Sequence, residues 1–151
     1  MFMNTDPQYK TLNGHPNALE PTKIMIVDDN YEFLEELQEM LINSGYTVEI
    51  VHDSTRALEE AQRIKPDLIL TDLKMVPKSG FQLADEIRHS SMKTVPIIAM
   101  TGFFTRKEHV LMMKLCGIKT FVLKPFHPAD IISKIEFALG HKEATDDYQG
   151  T

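Results

Sequence analysis

The sequence has little cysteine, no long apolar run and no cluster of positive charge, and each scarcity excludes a class of protein. Cys116 is the single cysteine, so an internal disulfide is excluded and a reducing compartment is favoured. No apolar run approaches the ~18 residues that a membrane span needs. The N-terminus also lacks the basic-then-apolar pattern of a secretory leader. The cytoplasm is therefore the expected location.

The charge pattern argues against nucleic acid and nucleotide as ligands. The formal net charge is −6, and lysine and arginine are dispersed among acidic residues, so there is no basic stripe for nucleic acid. No glycine-rich phosphate loop is present, so a bound nucleotide is not expected. The 151 residues, 42% hydrophobic and 25% charged, predict one globular domain with its own core.

The two ends of the chain differ from its middle. Residues 1–22 are polar, contain three prolines and show no periodicity, which predicts a flexible N-terminal extension. Residues 140–151 have almost nothing to bury and are predicted to form a flexible C-terminal tail. The predicted domain is residues 23–139.

Within that domain, short apolar segments alternate with longer amphipathic ones. Apolar runs of this length are typical of parallel strands covered on both faces. The five predicted strands are Lys23–Val27, Thr47–Val51, Leu68–Asp72, Pro96–Met100 and Lys119–Leu123.

A helix is predicted after each strand. The first carries Phe33 and three leucines on one stripe and ends near Gly45, which suits a left-handed cap. Ser54 and Thr105 are predicted to cap the second and fourth helices, and Pro128 suits the first turn of the last. Five βα units predict an α/β fold, a doubly wound parallel sheet in the order 2-1-3-4-5.

Polar residues gather where these strands end. The first strand is followed by Asp28 and Asp29, the third ends in Asp72, the fourth is followed by Thr101 and the fifth by Lys124. In such a sheet these residues share the edge where ligands bind. Three carboxylates repel one another unless a cation intervenes, and a hard cation such as Mg²⁺ suits them. With a lysine and a hydroxyl for phosphate oxygens, the set predicts phosphorylation of a carboxylate.

These residues, in this order, resemble the receiver domains of two-component response regulators (the CheY-like superfamily) over about residues 22–140. The resemblance implies a flavodoxin-like three-layer (βα)5 sandwich. It also implies that Asp28 and Asp29 bind Mg²⁺ and that Asp72 takes phosphate from a histidine kinase or a histidine phosphotransfer protein. Thr101 and Lys124 would contact the phosphoryl group.

Three further roles rest on the resemblance alone. The backbone carbonyl of Lys74 would be a metal ligand beside Asp72. The bond between Lys124 and Pro125 would be cis. Phe121, in the middle of the fifth strand, would follow the movement of Thr101 as a switch.

The chain departs from the family pattern after the phosphoacceptor. Proline usually stands four positions beyond it, where this chain has Val76, and Pro77 comes fifth. Gly80 stands at the usual glycine position, so we expect an altered loop with metal binding retained. Lys74 and Phe103 match positions that tune phosphate hydrolysis in the family, and we expect both to hinder the attacking water.

The expected function is that of a phosphorylation switch, with no catalysis beyond its own Mg²⁺-dependent phosphotransfer and slow autodephosphorylation. Upstream partners would be a histidine kinase or a histidine phosphotransfer protein. The fourth helix, fifth strand and fifth helix would form the switching surface for a downstream protein, a fused output domain or a second copy in a phosphorylation-dependent homodimer. Because few residues follow the last helix, we expect a single-domain receiver or a receiver excised from a longer protein.

Two rival functions are open. A small phosphohydrolase of the haloacid-dehalogenase type would place its second acid two residues beyond Asp28, where this chain has Asn30, and would need a cap segment. A pseudo-receiver would bind partners without ever taking phosphate, and no residue of the phosphorylation site is missing here. Incubation with acetyl phosphate separates the three functions.

Overall fold

A computed structural model describes residues 9–11, 19–102 and 106–140. The strands are β1 (Tyr9–Thr11), β2 (Leu19–Pro21), β3 (Lys23–Val27), β4 (Thr47–Val51), β5 (Leu68–Asp72), β6 (Ile97–Thr101) and β7 (Thr120–Leu123). The helices are α1 (Tyr31–Asn43), α2 (Ala57–Ile64), α3 (Gly80–Arg88), α4 (Lys107–Leu115) and α5 (Pro128–Ala138), and a 3₁₀ turn (Ser54–Arg56) precedes α2. None of the described helices is long and apolar enough to cross a membrane.

The five longer strands form one parallel sheet. Its order is β4-β3-β5-β6-β7, which is the predicted order 2-1-3-4-5, because β3 is the first of the five predicted strands. The prediction of a doubly wound α/β fold is confirmed. The observed β6 and β7 each begin one residue later than predicted.

The central strand shows why helices cover both faces of this sheet. Leu68 and Leu70 are buried in the core layer that contains the apolar faces of α1 and α5. Between them, Ile69 is buried in the opposite layer, with residues of α2, α3 and α4. Successive side chains of a strand point to opposite faces of the sheet. A strand that is apolar throughout must therefore be covered by helices on both faces. The result is a three-layer sandwich.

Ahead of the sheet, the structure contains two strands that the sequence did not predict. β1 and β2 pair antiparallel, within the segment expected to be a flexible extension. The division of the chain into residues 1–22, 23–139 and 140–151 stays a prediction.

Of the three predicted helix caps, one is confirmed, one is wrong and one lies outside the described residues. Gly45 has φ 99 and follows α1, which confirms the left-handed cap. The cap predicted at Ser54 is wrong: the N-cap of the turn leading into α2 is Asp53, whose side chain accepts a backbone N–H two residues on. Ser54 is buried, and its hydroxyl accepts the N–H of Lys78 at 3.2 Å. The cap predicted at Thr105 lies outside the described residues.

Candidate functional site at the carboxyl ends of the strands

The register of the sheet determines which residues share its carboxyl edge. Val27 pairs with Thr71 across β3 and β5. Asp72 pairs with Met100, the residue before Thr101. Thr101 in turn pairs with Leu123 on β7. Asp28 is therefore level with Asp72 in register, Thr101 lies one residue beyond that level and Lys124 lies two residues beyond it.

An ion pair spans this edge of the sheet. The Lys124 ammonium lies 2.5 Å from Oδ2 of Asp28 and 3.6 Å from Oδ2 of Asp72. Asp28 is 1% exposed, and its other oxygen accepts the N–H of Asn30 at 2.9 Å. A buried carboxylate is costly unless it is paired and hydrogen-bonded. Both oxygens of Asp28 are satisfied in this way.

Three carboxylates converge at the same place. One oxygen from each of Asp28, Asp29 and Asp72 can be chosen so that all lie within 4.8 Å of one another. Asp28 is buried, Asp72 partly so and Asp29 exposed, so the cluster opens to solvent on one side. An all-oxygen set with a solvent side fits Mg²⁺, which prefers oxygen ligands and keeps several waters.

The surroundings of the Asp72 carboxyl shift its pKa in both directions. Burial raises its pKa, the Lys124 ammonium lowers it and the negative charge on Asp28 raises it again. The N–H of Lys74 also approaches Oδ1 of Asp72 at 3.4 Å, which favours the ionised form. The ionised form of Asp72 therefore depends on nearby positive charge.

Close packing of Gly80 against the backbone of Asp72 and Leu73 anchors the loop that follows Asp72. The N–H of Gly80 donates to the carbonyl of Leu73 at 3.0 Å. A Cβ at Gly80 would lie 2.1 Å from the carbonyl oxygen of Asp72, so only glycine fits where α3 begins. Within the loop, the Val76–Pro77 bond is cis. The expectation of an altered loop that retains metal binding stays a prediction.

One aromatic ring borders the ion pair, and a second ring packs against the first. The Lys124 ammonium lies over the Phe33 ring, 4.1 Å from its centroid. Phe126 meets Phe33 edge to face, with centroids 6.0 Å apart and an interplanar angle of 83°. The helical periodicity of the sequence predicted for Phe33 only a place in the core stripe of α1. Its position, five residues beyond Asp28 in the first turn of the helix that leaves the site, was the feature that could have indicated this contact.

The predicted switch residues lie on the adjacent strands β6 and β7. Thr101 is fully buried, and its carbonyl accepts the N–H of Lys124 at 2.8 Å. Phe121 is half-buried against the core layer that contains Met113 of α4. The Lys124–Pro125 bond is cis, as the resemblance implied. Phe103 lies outside the described residues.

The sequence matches the family model of the response regulator receiver domain over residues 24–136. This match covers most of the chain, so the chain belongs to the response-regulator receiver family and is a receiver domain of two-component response regulators. Receiver domains are signalling proteins and are not enzymes that turn over external substrates. The resemblance seen in the sequence is confirmed.

Relatives and solved structures agree with this assignment. The chain is 34% identical over 126 residues to the transcriptional regulatory protein PdtaR of Mycobacterium tuberculosis, covering 82% of the chain and 59% of that protein. The matched part of the chain corresponds to between 19% and 51% of the length of other curated relatives.

Two solved structures show the same fold. The chemotaxis protein CheY4 of Vibrio cholerae is 29% identical, with a TM-score of 0.74 and coverage of 78% of this chain and 98% of that chain. The receiver domain of the sensor histidine kinase PA1611 of Pseudomonas aeruginosa is 28% identical, with a TM-score of 0.72 and coverage of 79% and 98%. That receiver domain has a magnesium ion coordinated in its active-site cleft.

The geometry predicts that Lys124→Met destabilises the metal-free protein by leaving Asp28 buried without its partner. Breaking a buried pair costs about 3–5 kcal/mol, and partial exposure of Lys124 reduces this to about 2–4 kcal/mol. The measurement is urea unfolding in a chelating buffer at pH 7. In an Asp28→Asn background the same substitution should cost much less. Equal costs in the two backgrounds would show that the pair does not carry the effect.

Proposed function

We propose that this receiver takes a phosphoryl group onto the Asp72 carboxylate and relays the change to a protein partner. The observation that carries the proposal is the position of the Lys124 ammonium, between Asp28 and Asp72 at the ligand-binding edge of the sheet. It is a fixed positive charge beside a partly exposed carboxylate. This arrangement suits the charge that develops during phosphoryl transfer.

Each residue has a distinct part in the transfer. An Asp72 oxygen attacks the phosphorus of a phosphohistidine on a histidine kinase or phosphotransfer protein, and the bond from phosphorus to the imidazole nitrogen breaks. The products are an acyl phosphate on Asp72 and a free imidazole, which takes up a proton. Lys124 donates to one phosphoryl oxygen, and the Thr101 hydroxyl donates to another.

Asp28, Asp29, Asp72 and the backbone carbonyl of Lys74 would hold Mg²⁺. When bound, the ion supplies positive charge that offsets the phosphoryl oxygens. The clustering of the three carboxylates supports this set, and so does the magnesium in the related receiver domain from Pseudomonas aeruginosa.

The first prediction of the proposal concerns the phosphoacceptor. Asp72→Asn should abolish labelling by acetyl phosphate and Mg²⁺, because the amide keeps the shape of the carboxylate but is a far poorer nucleophile. The variant should be at least as stable as the wild type in urea, since one of the crowded carboxylates is gone. Intact mass, with and without hydroxylamine, is the readout. Asp85→Asn, an exposed aspartate of α3, is the matched control and should label normally. Hydroxylamine-sensitive labelling of Asp72→Asn at the wild-type rate would make the assignment wrong.

A second prediction concerns the metal. Asp29→Ala should weaken Mg²⁺ binding by about tenfold or more, because a small hard ion loses one of few charged ligands. It should leave the metal-free protein at least as stable, since one source of carboxylate repulsion is gone. Calorimetric titration measures the affinity. Glu32→Ala, the control, removes the same charge three residues further along, in the first turn of α1, and should bind Mg²⁺ normally. Equal Mg²⁺ affinities in the two variants would exclude Asp29 as a ligand.

We propose that phosphorylation changes the partner-binding surface in two steps: phosphate on Asp72 draws the Thr101 hydroxyl towards it, and Phe121 moves inward in response. An unpaired phosphoryl oxygen at a sheet edge is costly, so the hydroxyl gains by approaching it. The affected surface, the α4–β7–α5 face, exposes Leu111 and Leu115 of α4 and Leu123 of β7. A cleft of about 450 Å³ beside it is lined in part by Phe121.

That surface is apolar enough to bind a downstream protein helix, a fused output domain or a second copy of the chain. Binding would be regulated if phosphorylation shifts the population towards the inward arrangement of Phe121. A coupling free energy of about 1–3 kcal/mol is typical of such switches.

The third prediction tests this coupling. Thr101→Ala should still be phosphorylated at Asp72, but phosphorylation should change the α4–β7–α5 face less than in the wild type. In Phe121→Ala, phosphorylation should change that face less still. NMR chemical shifts of α4 and β7, recorded before and after phosphorylation, report the response. Thr94→Ala, on an exposed residue before β6, is the matched control. Identical phosphate-induced shifts in the wild type and Thr101→Ala would rule out this route.

A further inference from the structure

Among the described residues, the Phe33 ring is the aromatic surface that lies against Lys124. The ammonium of Lys124 lies 4.1 Å from the ring centroid, while its other neighbours are the carboxylates of Asp28 and Asp72. The ring is itself held by Phe126, which packs edge to face against it. The lysine therefore has carboxylates and an aromatic face as its neighbours.

A lysine needs such confinement if it is to act at a defined point. Its four-carbon stem is flexible, and its ammonium is a compact, strongly hydrated charge with no preferred direction. An aromatic face attracts the ammonium through the ring quadrupole, and it occupies space that water would otherwise fill. A leucine at position 33 would fill part of the same core stripe of α1 but would offer no such attraction.

We propose that Phe33 is a positioning residue for phosphoryl transfer, acting through Lys124. Its ring holds the ammonium at the side of the site shared by Asp28 and Asp72, where an incoming phosphoryl oxygen would meet it. Phe126 keeps the ring in that orientation. This inference rests on the proposed function, because it assigns Phe33 a part in the chemistry of Asp72.

The test compares Phe33→Leu, which removes the ring, with Phe33→Tyr, which keeps it. Phosphorylation rates are measured by intact mass with acetyl phosphate at saturating Mg²⁺. Phe33→Leu should be about two- to fivefold slower, the factor that corresponds to an ordinary cation–π contact, and Phe33→Tyr should restore the rate. In a Lys124→Ala background, Phe33→Leu should have no further effect, because the lysine through which it acts is gone.

A second readout needs no phosphate. Protons of the Lys124 methylene next to the ammonium should be shifted upfield by the ring in the NMR spectrum of the wild type, with the resonance assigned by its loss in Lys124→Arg. The shift should disappear in Phe33→Leu and persist in Phe33→Tyr. An unshifted methylene in the wild type would overturn the positioning role.

The two proposals fail in different ways. A wild-type protein that takes no phosphate on Asp72 would overturn the proposed function, whatever the spectrum shows. A wild type that is phosphorylated, but in which Phe33→Leu slows the reaction equally with and without Lys124, would overturn the role of Phe33 and leave the function standing.

Discussion

The ion pair between Lys124 and Asp28 is the interaction on which the site depends. Two strands, β5 and β6, separate β3 from β7 in the sheet, yet the two side chains meet at 2.5 Å. This is possible only because the register of four parallel strands brings their carboxyl ends to one edge. The pair also makes the buried carboxylate of Asp28 tolerable, since a lone buried charge would favour unfolding or neutralisation.

The same lysine links the resting site to its proposed chemistry. At rest it offsets the crowded carboxylates, and burial together with Asp28 still raises the pKa of Asp72. In our account an incoming phosphoryl group and Mg²⁺ change the charges around Lys124, and Thr101 follows the new oxygen. The exposed leucines of α4 and β7 would then provide the surface at which a partner could detect this local change. In this proposal, a charge rearrangement at the sheet edge would be converted into a change of packing.

The sequence predicted the strands and the residues at their ends, because buried runs such as Leu68–Asp72 stop abruptly at a polar residue and parallel strands share an edge. It could not predict features that depend on distances between separate segments. The fit of Gly80 against the Asp72 carbonyl is one, since it requires the loop to return to the strand end. The ring of Phe33 over Lys124 is another. In the turn ahead of α2, Asp53 and Ser54 are both residue types that cap helices; Asp53 is the N-cap, and the Ser54 hydroxyl instead accepts an N–H from Lys78, which is distant in sequence.

The proposed switch depends on formation of an acyl phosphate at Asp72. Reduction with borohydride converts a phosphorylated aspartate, and not a free one, into homoserine, which peptide mass mapping can locate. After incubation with acetyl phosphate and Mg²⁺, we expect homoserine at position 72 and at no other aspartate of the site. Homoserine at Asp28 or Asp29 would contradict the assignment of the phosphoacceptor. No homoserine anywhere would contradict the phosphorylation itself and favour a receiver fold that only binds its partners.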